Sequence, residues 1–192
     1  LAMRDILSGI KVDKSTHDLA GAPEEFITEG LDGIRDRLAE YYSMGARFAK
    51  WRALLTVGNG RPSDYAIYTN AHALGRYAIL CQEQGLVPIV EPEILMDGAH
   101  NIDDCRLATK RSLTVVFEEL VTHSVDLRGI ILKPNMVISG SDASNRAPST
   151  EVARQTIDCL LETVPAEVPG VAFLSGGQGD EESVVNLDEI NK

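Results

Sequence analysis

The sequence is short of positive charge. Of its 192 residues, 18 are lysine or arginine and 29 are aspartate or glutamate, which gives a formal net charge of -11. A chain of this sign repels nucleic acid and anionic membrane surfaces over most of its own surface. We therefore expect no nucleic-acid or membrane partner, and any anion that binds must be held by a local cluster of cations.

Cysteines and long apolar runs are also scarce. The three cysteines, Cys81, Cys105 and Cys159, are odd in number and lack zinc-site spacing, which favours buried free thiols over a disulfide framework. No stretch approaches the roughly 18 apolar residues of a membrane span. The first five residues, Leu1 to Asp5, resemble neither a signal peptide nor a natural start, and a break before Ile6 is one explanation. We expect a cytoplasmic protein whose gene begins upstream of Leu1.

One unit recurs along the chain: a short apolar, β-branched run, a polar loop and a segment with helical periodicity. The apolar runs are Gly9 to Lys14, Ala46 to Arg52, Leu86 to Leu95, Leu127 to Val137 and Gly170 to Gly177. Between them, apolar residues recur at spacings of three and four, which predicts helices with one apolar stripe. The stripes run from Leu31 to Tyr41, Ile67 to Cys81, Leu113 to Leu120 and Ile157 to Val164, and Ser149 is predicted to cap the last helix. This alternation predicts a parallel sheet covered by helices.

The polar residues that end these runs recur about every 40 residues, which favours a (β/α) barrel over a doubly wound sheet because every barrel unit solves the same packing problem. Eight such units need roughly 320 residues, and an incomplete ring exposes unpaired strand edges. We therefore predict an α/β fold, a (β/α)8 TIM barrel. In this prediction residues 1–192 are a single domain that supplies roughly strands 3 to 7 and lacks the first and last strands.

Pairs of polar residues two positions apart end four of the runs. The pairs are Lys11 and Asp13, Lys50 and Arg52, Glu91 and Glu93, and Lys133 and Asn135. Residues two apart share one face of a strand, and the carboxyl ends of parallel strands are where ligands bind and catalytic residues lie. The seven charged members carry a net charge of +1, so this face can accept an anion although the whole chain repels one.

These residue types can carry out imine chemistry. A poorly solvated lysine beside other cations holds its proton less firmly, and the neutral amine can attack a carbonyl. Lys133, which follows three apolar residues, is the best candidate nucleophile, with Glu91 and Glu93 to move protons as an imine forms and decays. The structural alternative is a buried ion network in which these glutamates only pair with Lys50 and Arg52.

The last run ends in Ser175, Gly176 and Gly177. The two glycines permit close backbone approach and leave amide groups free to point at an oxyanion, and the serine hydroxyl adds a donor. A phosphate site after a late barrel strand has this form, although a plain turn accounts for the same residues.

Other polar and aromatic residues have structural explanations. Trp51 alternates with Lys50 and Arg52, so we expect it to pack beneath the helices. Asp13 and Asn135 either orient lysines or cap strands. The acidic residues 180–182 predict a helix start. The four histidines, His17, His72, His100 and His123, show no ligand spacing, and we expect solvated or helix-surface roles for them, with no metal and no cofactor.

Taken in order, five segments resemble the class I, Schiff-base-forming fructose-bisphosphate aldolase family. They are Gly9 to Lys14, Phe48 to Arg52, Ile89 to Leu95, Leu132 to Val137 and Phe173 to Gln178. Any one of them is a common pattern, whereas five in order with the family's spacing are specific. The resemblance extends from about Ile6 to Lys192.

The resemblance implies a role for each strand-end residue. It implies that Lys133 forms the imine, that Glu91 is the principal proton-transfer residue, and that Glu93 and Lys50 assist. It assigns the phosphate at the aldehyde end of the substrate to Lys11 and Arg52, and the phosphate at the ketone end to Ser175, Gly176 and Gly177. No metal is required, since the protonated imine is the electron sink.

The implied activity is a carbon–carbon lyase of glycolysis that reversibly cleaves fructose 1,6-bisphosphate into dihydroxyacetone phosphate and glyceraldehyde 3-phosphate. The implied assembly is a cytoplasmic homotetramer. A catalytic aspartate, a phosphate-gripping arginine and a C-terminal tail of the family have no counterpart in these residues, so we expect activity of the full-length parent and not of residues 1–192 alone. The alternatives are another lysine-imine barrel enzyme, such as a transaldolase or a deoxyribose-phosphate aldolase, and a non-catalytic barrel scaffold.

Overall fold

The computed structural model describes Arg4 and residues 6–192, so the suggested break before Ile6 lies outside the described residues. The strands are β1 (Ser8–Lys11), β2 (Thr16–Asp18), β3 (Phe26–Thr28), β4 (Ala46–Leu55), β5 (Val87–Ile94) and β6 (Ile131–Leu132). The helices are α1 (Ile34–Ser43), α2 (Asp64–Glu83), α3 (Ile102–Thr122), α4 (Ser149–Thr163) and α5 (Asp180–Ile190). In the described part of the chain, no helix combines the length and apolar character needed to cross a membrane.

Four strands form one parallel sheet in the order β1-β4-β5-β6. A parallel bridge from Leu132 to Val171 adds the fifth apolar run beside β6, where Leu132 N donates to Gly170 O at 3.1 Å and Ala172 N donates to Leu132 O at 2.9 Å. Strands that are consecutive in this series are therefore neighbours, with no reversal of order. The α/β prediction is confirmed, and the arrangement is that of successive strands of a (β/α) barrel.

The fourth and fifth predicted strands are shorter than their apolar runs. Residues Leu127–Gly129 form a 3-10 turn, and Pro134 has no amide hydrogen to donate, so the ladder of β6 is confined to two residues. Among the described residues, the fifth run pairs only with β6, through the single bridge between Leu132 and Val171.

A small antiparallel hairpin, formed by β2 and β3, follows β1 and is absent from the sequence prediction. The Thr28 hydroxyl joins it to the main sheet by donating to the carbonyl oxygen of Arg52 at 2.6 Å. Lys14 N donates to Glu29 O at 2.8 Å and so continues the hairpin pairing toward β1. The hairpin thus lies against the carboxyl end of β4, beside the polar strand ends.

The main core lies between the sheet and the helices. Trp51 and Tyr77 are fully buried there, with ring centroids 5.6 Å apart, which confirms the packing role predicted for Trp51. Three apolar stripes lie on helices as predicted, although α1 begins at Ile34, after Leu31, because Gly33 adopts a left-handed conformation. Burial of each large side chain stabilises the fold by about 1.5–3 kcal/mol. The prediction of free, buried thiols is confirmed for all three cysteines.

Helix α4 forms where predicted, and the predicted stripe is correct only in part. Leu160 and Val164 pack against the core, whereas Leu161, assigned to the same stripe, is 80% exposed. The buried face also includes Val152, Cys159 and Thr156, whose hydroxyl accepts a hydrogen bond from Val137 N at 2.9 Å, so a stripe drawn from apolar residues alone is incomplete. The prediction of Ser149 as the cap is wrong, because it is the first helical residue and the preceding Pro148 caps the helix without a side-chain bond. The predicted acidic start of α5 is confirmed.

Candidate active site

The parallel strands bring the predicted polar residues together toward their carboxyl ends, which form one edge of the sheet. Lys50 and Glu91 do not end their strands as predicted, because β4 continues to Leu55 and β5 to Ile94. Lys11 pairs in register with Lys50, and Arg52 pairs with Glu91. Lys133 joins the series because its amide donates to Val90 O at 2.8 Å. Side chains more than 30 residues apart in the chain therefore meet because the parallel register places them at neighbouring levels of adjacent strands.

Glu91 is at the centre of this edge. It is 2% exposed, and its two carboxylate oxygens face two lysines: Oε1 lies 2.9 Å from Lys133 Nζ, and Oε2 lies 2.8 Å from Lys50 Nζ. The contact with Lys50 has the distance of an ion pair without hydrogen-bond geometry, so Oε2 has a charge partner but no bonded donor. A buried carboxylate that faces two ammonium groups is positioned to exchange protons with either.

The two lysines remain accessible, unlike the carboxylate between them. The side chain of Lys133 is 30% exposed and that of Lys50 is 22% exposed. A substrate carbonyl can thus approach Lys133 Nζ from solvent while Glu91 lies behind it. This is the arrangement that a lysine nucleophile with an adjacent acid–base group requires.

Arg52 and Glu93 form a second ion pair one step along the same edge. Arg52 Nε donates to Oε2 of Glu93, whose side chain is 3% exposed. This hydrogen bond raises the pKa of Arg52, with smaller contributions from the charges of Glu93, Glu91 and Asp13, against the opposing effect of burial. The guanidinium is therefore a permanent cation of fixed orientation at the mouth of the site.

From the sequence, Asp13 and Asn135 were each expected either to orient a lysine or to cap a strand, and the structure gives them different partners. Asp13 is buried at its side chain and accepts a hydrogen bond from the ammonium of Lys11, so it holds that lysine at the sheet edge. Asn135 contacts no lysine. Its Oδ1 accepts from Ile94 N at 3.1 Å and its Nδ2 donates to the Thr109 hydroxyl at 3.1 Å, which ties the end of β5 to α3.

The turn at Ser175, Gly176 and Gly177 lies next to the segment that carries Lys133, since Leu174 N donates to Pro134 O at 3.3 Å. Both glycines have left-handed φ values, 64° and 87°. Ser175 is exposed, and across residues 6–192 none of these three amides donates a hydrogen bond to another group of the chain. Three free amides and a hydroxyl at one turn are suited to bind an oxyanion.

Two features of the surface were not found from the sequence. A groove of about 730 Å³ lies between α2, α3 and α4, and its lining residues all belong to these helices and not to the strands that carry the predicted site. In addition, His72 and His123, for which no ligand spacing was recognised, meet at Glu119. The only sequence signal was the spacing of four between Glu119 and His123, because His72 comes from another helix.

The chain is similar in sequence to known proteins. A family model described as fructose-bisphosphate aldolase class-I matches residues 1–192. The chain is 54% identical over 187 residues to "Fructose-bisphosphate aldolase 4, cytosolic" of Arabidopsis thaliana, a match that covers 97% of this chain and 48% of the relative. It is 54% identical over 192 residues to a "Probable fructose-bisphosphate aldolase class 1" of Xanthomonas campestris, which covers 100% of this chain and 58% of the relative.

A solved structure is similar over nearly the whole chain. It is a complex of fructose-bisphosphate aldolase from Plasmodium falciparum with TRAP and a small molecule inhibitor, with a TM-score of 0.97 and 47% sequence identity. The match covers 99% of this chain and 55% of that one. The chain thus spans about half the length of the curated relatives it matches.

Proposed function

Because the chain belongs to the class I fructose-bisphosphate aldolase family, we propose that the protein carrying it reversibly cleaves fructose 1,6-bisphosphate into dihydroxyacetone phosphate and glyceraldehyde 3-phosphate. The observation that supports this most directly is the contact of 2.9 Å between Lys133 Nζ and the buried carboxylate of Glu91. An amine that can attack and a carboxylate that can move protons lie side by side at the carboxyl ends of parallel strands.

The proposed reaction begins when the ammonium of Lys133 gives a proton to the carboxylate of Glu91, and the neutral Nζ then attacks the ketone carbon of the substrate. Glu91 protonates the carbinolamine hydroxyl, which leaves as water, and a protonated imine forms. The iminium nitrogen then accepts the electron pair of the C3–C4 bond as that bond breaks, while the C4 hydroxyl gives its proton to the carboxylate of Glu91 and becomes the aldehyde of glyceraldehyde 3-phosphate. Glu91 returns this proton to C3 of the resulting enamine, and addition of water to the iminium releases dihydroxyacetone phosphate and regenerates the lysine.

The remaining strand-end residues are assigned to charge and to phosphate. Lys50 and Glu93 assist through the ion pairs that they make with Glu91 and Arg52. Lys11 and Arg52 bind the phosphate at the aldehyde end, and both present accessible side chains, 54% and 41% exposed. The free amides of Ser175, Gly176 and Gly177 bind the phosphate at the ketone end. The reaction needs no metal, since the iminium withdraws the electrons.

The assembly and location proposed for the full protein follow from the same family membership. Residues 1–192 belong to one (β/α)8 barrel domain and supply roughly strands 3 to 7. The full protein is a cytoplasmic homotetramer, in accord with relatives named cytosolic or cytoplasmic. Light scattering of the full-length protein during size-exclusion chromatography tests the tetramer.

The test of the function is imine trapping. Full-length protein is incubated with fructose 1,6-bisphosphate, reduced with borohydride and digested, and we expect one stable adduct, on the peptide that contains Lys133. Lys133→Met abolishes both the adduct and cleavage. The matched control is Lys110→Met, a lysine on α3 that pairs with Glu162 at 2.9 Å, and it retains both.

Two results would defeat the proposal. An adduct on any other peptide contradicts the role of Lys133, and absence of cleavage in a correctly folded full-length protein favours a non-catalytic scaffold. Faster turnover of another imine-forming substrate, such as a deoxyribose phosphate, indicates a different lysine-imine enzyme.

A further inference from the structure

Two histidines and a glutamate form a compact cluster between helices, in the layer that covers the sheet. The polar residues of the candidate active site lie elsewhere, on the strands. His72 lies on α2, while Glu119 and His123 lie at the end of α3. Oε2 of Glu119 is 3.1 Å from His72 Nδ1 and 3.4 Å from His123 Nδ1, and the two imidazole rings have centroids 4.9 Å apart. One potential ligand atom from each residue lies within 4.8 Å of the other two.

The position of the His123 ring is constrained by the backbone around it. Its Nδ1 atom lies 2.8 Å from the carbonyl oxygen of Glu119. When Nδ1 donates there, Nε2 is left as the metal-binding nitrogen, which is the usual pattern of metal-bound imidazoles. Gly75, in the interior of α2, makes room for the ring, because a Cβ at this position would lie 2.7 Å from His123 Nδ1. Glycine inside a helix is destabilising relative to alanine, so α2 is less stable at the point where it makes room for the imidazole.

We propose that His72, Glu119 and His123 bind one zinc ion. Two imidazoles and a carboxylate are a ligand set that zinc takes, with a water molecule in the fourth position. Zinc–ligand bonds near 2.0–2.2 Å place tetrahedral ligands about 3.3–3.5 Å apart. The potential ligand atoms of the cluster lie within 4.8 Å of one another, a wider limit than this spacing, and the side chain of His72, which is 55% exposed, is free to make the remaining adjustment.

The site is distinct from the strand-end residues in both place and chemistry. His123 is the C-cap of α3, and the helices of a βαβ unit run antiparallel to the strands, so the cluster lies toward the amino-terminal side of the sheet. A zinc ion there would join α2 to α3 across the outer surface. Its effect is therefore on stability, because an ion that binds only the folded chain raises its free energy of unfolding.

The experiment measures zinc binding by the full-length protein after treatment with a chelator. Zinc chloride is titrated in competition with a chromophoric chelator, and we expect one zinc ion per chain at this site. His72→Gln and Glu119→Gln each weaken this binding at least tenfold. Gly75→Ala weakens it as well, since its methyl group displaces the ring of His123 without removing a ligand. Zinc raises the melting temperature of the wild-type protein by several degrees and leaves that of His72→Gln unchanged.

The matched control is His17→Gln, which removes an exposed histidine that has a single carboxylate neighbour, Glu29, at 3.7 Å. It leaves zinc binding unchanged. Circular dichroism without metal verifies that each variant is folded. Equal zinc affinity in the wild type, His72→Gln and Glu119→Gln would overturn the proposal, as would the absence of bound zinc at micromolar concentration. Because no activity is measured, these outcomes are independent of the proposed lyase function.

Discussion

The carboxylate of Glu91 lies 2.9 Å from Nζ of Lys133, and its other oxygen lies 2.8 Å from Nζ of Lys50. One buried carboxylate thus faces two accessible lysine side chains. The desolvation of Glu91 is compensated as long as at least one ammonium remains, because a buried charge is tolerated when it is paired. Glu91, Lys50 and Lys133 are therefore coupled: the loss of stability on removing one lysine depends on whether the other is present.

This coupling predicts a non-additive stability cycle. Lys50→Met and Lys133→Met each leave Glu91 with one partner and are expected to destabilise the protein by about 1 kcal/mol. The double variant leaves a buried, unpaired carboxylate and costs about 3–5 kcal/mol, and addition of Glu91→Gln restores most of that loss. Chemical denaturation of the wild type and of these four variants measures the cycle and the rescue. Additive effects of the two lysine substitutions would show that Glu91 does not couple them.

Gly140 is predicted to tolerate no side chain. A Cβ there would overlap the carbonyl oxygen of Gly98 and lie 2.8 Å from its carbonyl carbon, at a point where Gly140 N donates to His100 O at 2.9 Å. Gly140→Ala therefore forces two backbone segments apart and is expected to cost about 1–3 kcal/mol. The control is Gly170→Ala, because a Cβ at Gly170 meets no atom within 4 Å. Equal melting temperatures for the two variants would contradict the close approach.

His100 predicts a loss of stability in mild acid. The residue is 7% exposed, neither ring nitrogen has a hydrogen-bond partner among the described residues, and burial lowers its pKa against the opposing charges of Asp104 and Asp97. The unfolded chain takes up a proton at this histidine near pH 6.5, whereas the folded chain does so only at lower pH. The free energy of unfolding therefore falls as the pH drops below about 6.5.

The measurement compares pH dependence and not absolute stability. Denaturation of wild type and His100→Gln between pH 7.5 and 5 should give a shallower decline for the variant, by less than one proton per molecule. Identical slopes for wild type and His100→Gln would show that this histidine does not contribute.

The three cysteines are predicted to be unreactive in the folded protein. Burial raises the pKa of Cys81 to about 12 and the pKa values of Cys105 and Cys159 to about 11. Since the thiolate is the reactive form, alkylation at pH 8 should be more than about a hundredfold slower in native protein than in urea. Mass spectrometry of the individual peptides measures each rate. Labelling of any of the three at the unfolded rate would place that thiol outside the core.

Much of the fold could be predicted from the sequence because it depends on local patterns. The alternation of apolar runs and helical stripes predicts a parallel α/β sheet, and polar pairs two residues apart predict which side chains face its carboxyl edge. The interruption of the fourth run could not be predicted by periodicity, since the 3-10 turn at Leu127–Gly129 and the missing amide of Pro134 act on the ladder and not on the apolar pattern. The hairpin of β2 and β3 was missed because its strands have three residues each.

The sequence by itself determined that Lys133, Glu91 and Lys50 lie toward the carboxyl ends of successive apolar runs, since the period of two along a strand and the alternation of strand and helix are properties of neighbouring residues. Only the tertiary structure decided which of these groups touch, that Asn135 binds α3 and not a lysine, that Thr156 belongs to the buried face of α4, and that His72 meets Glu119 and His123. The physical reason is that contacts between separate elements depend on strand register and on how the helices pack, and the spacing of residues along the chain does not specify either.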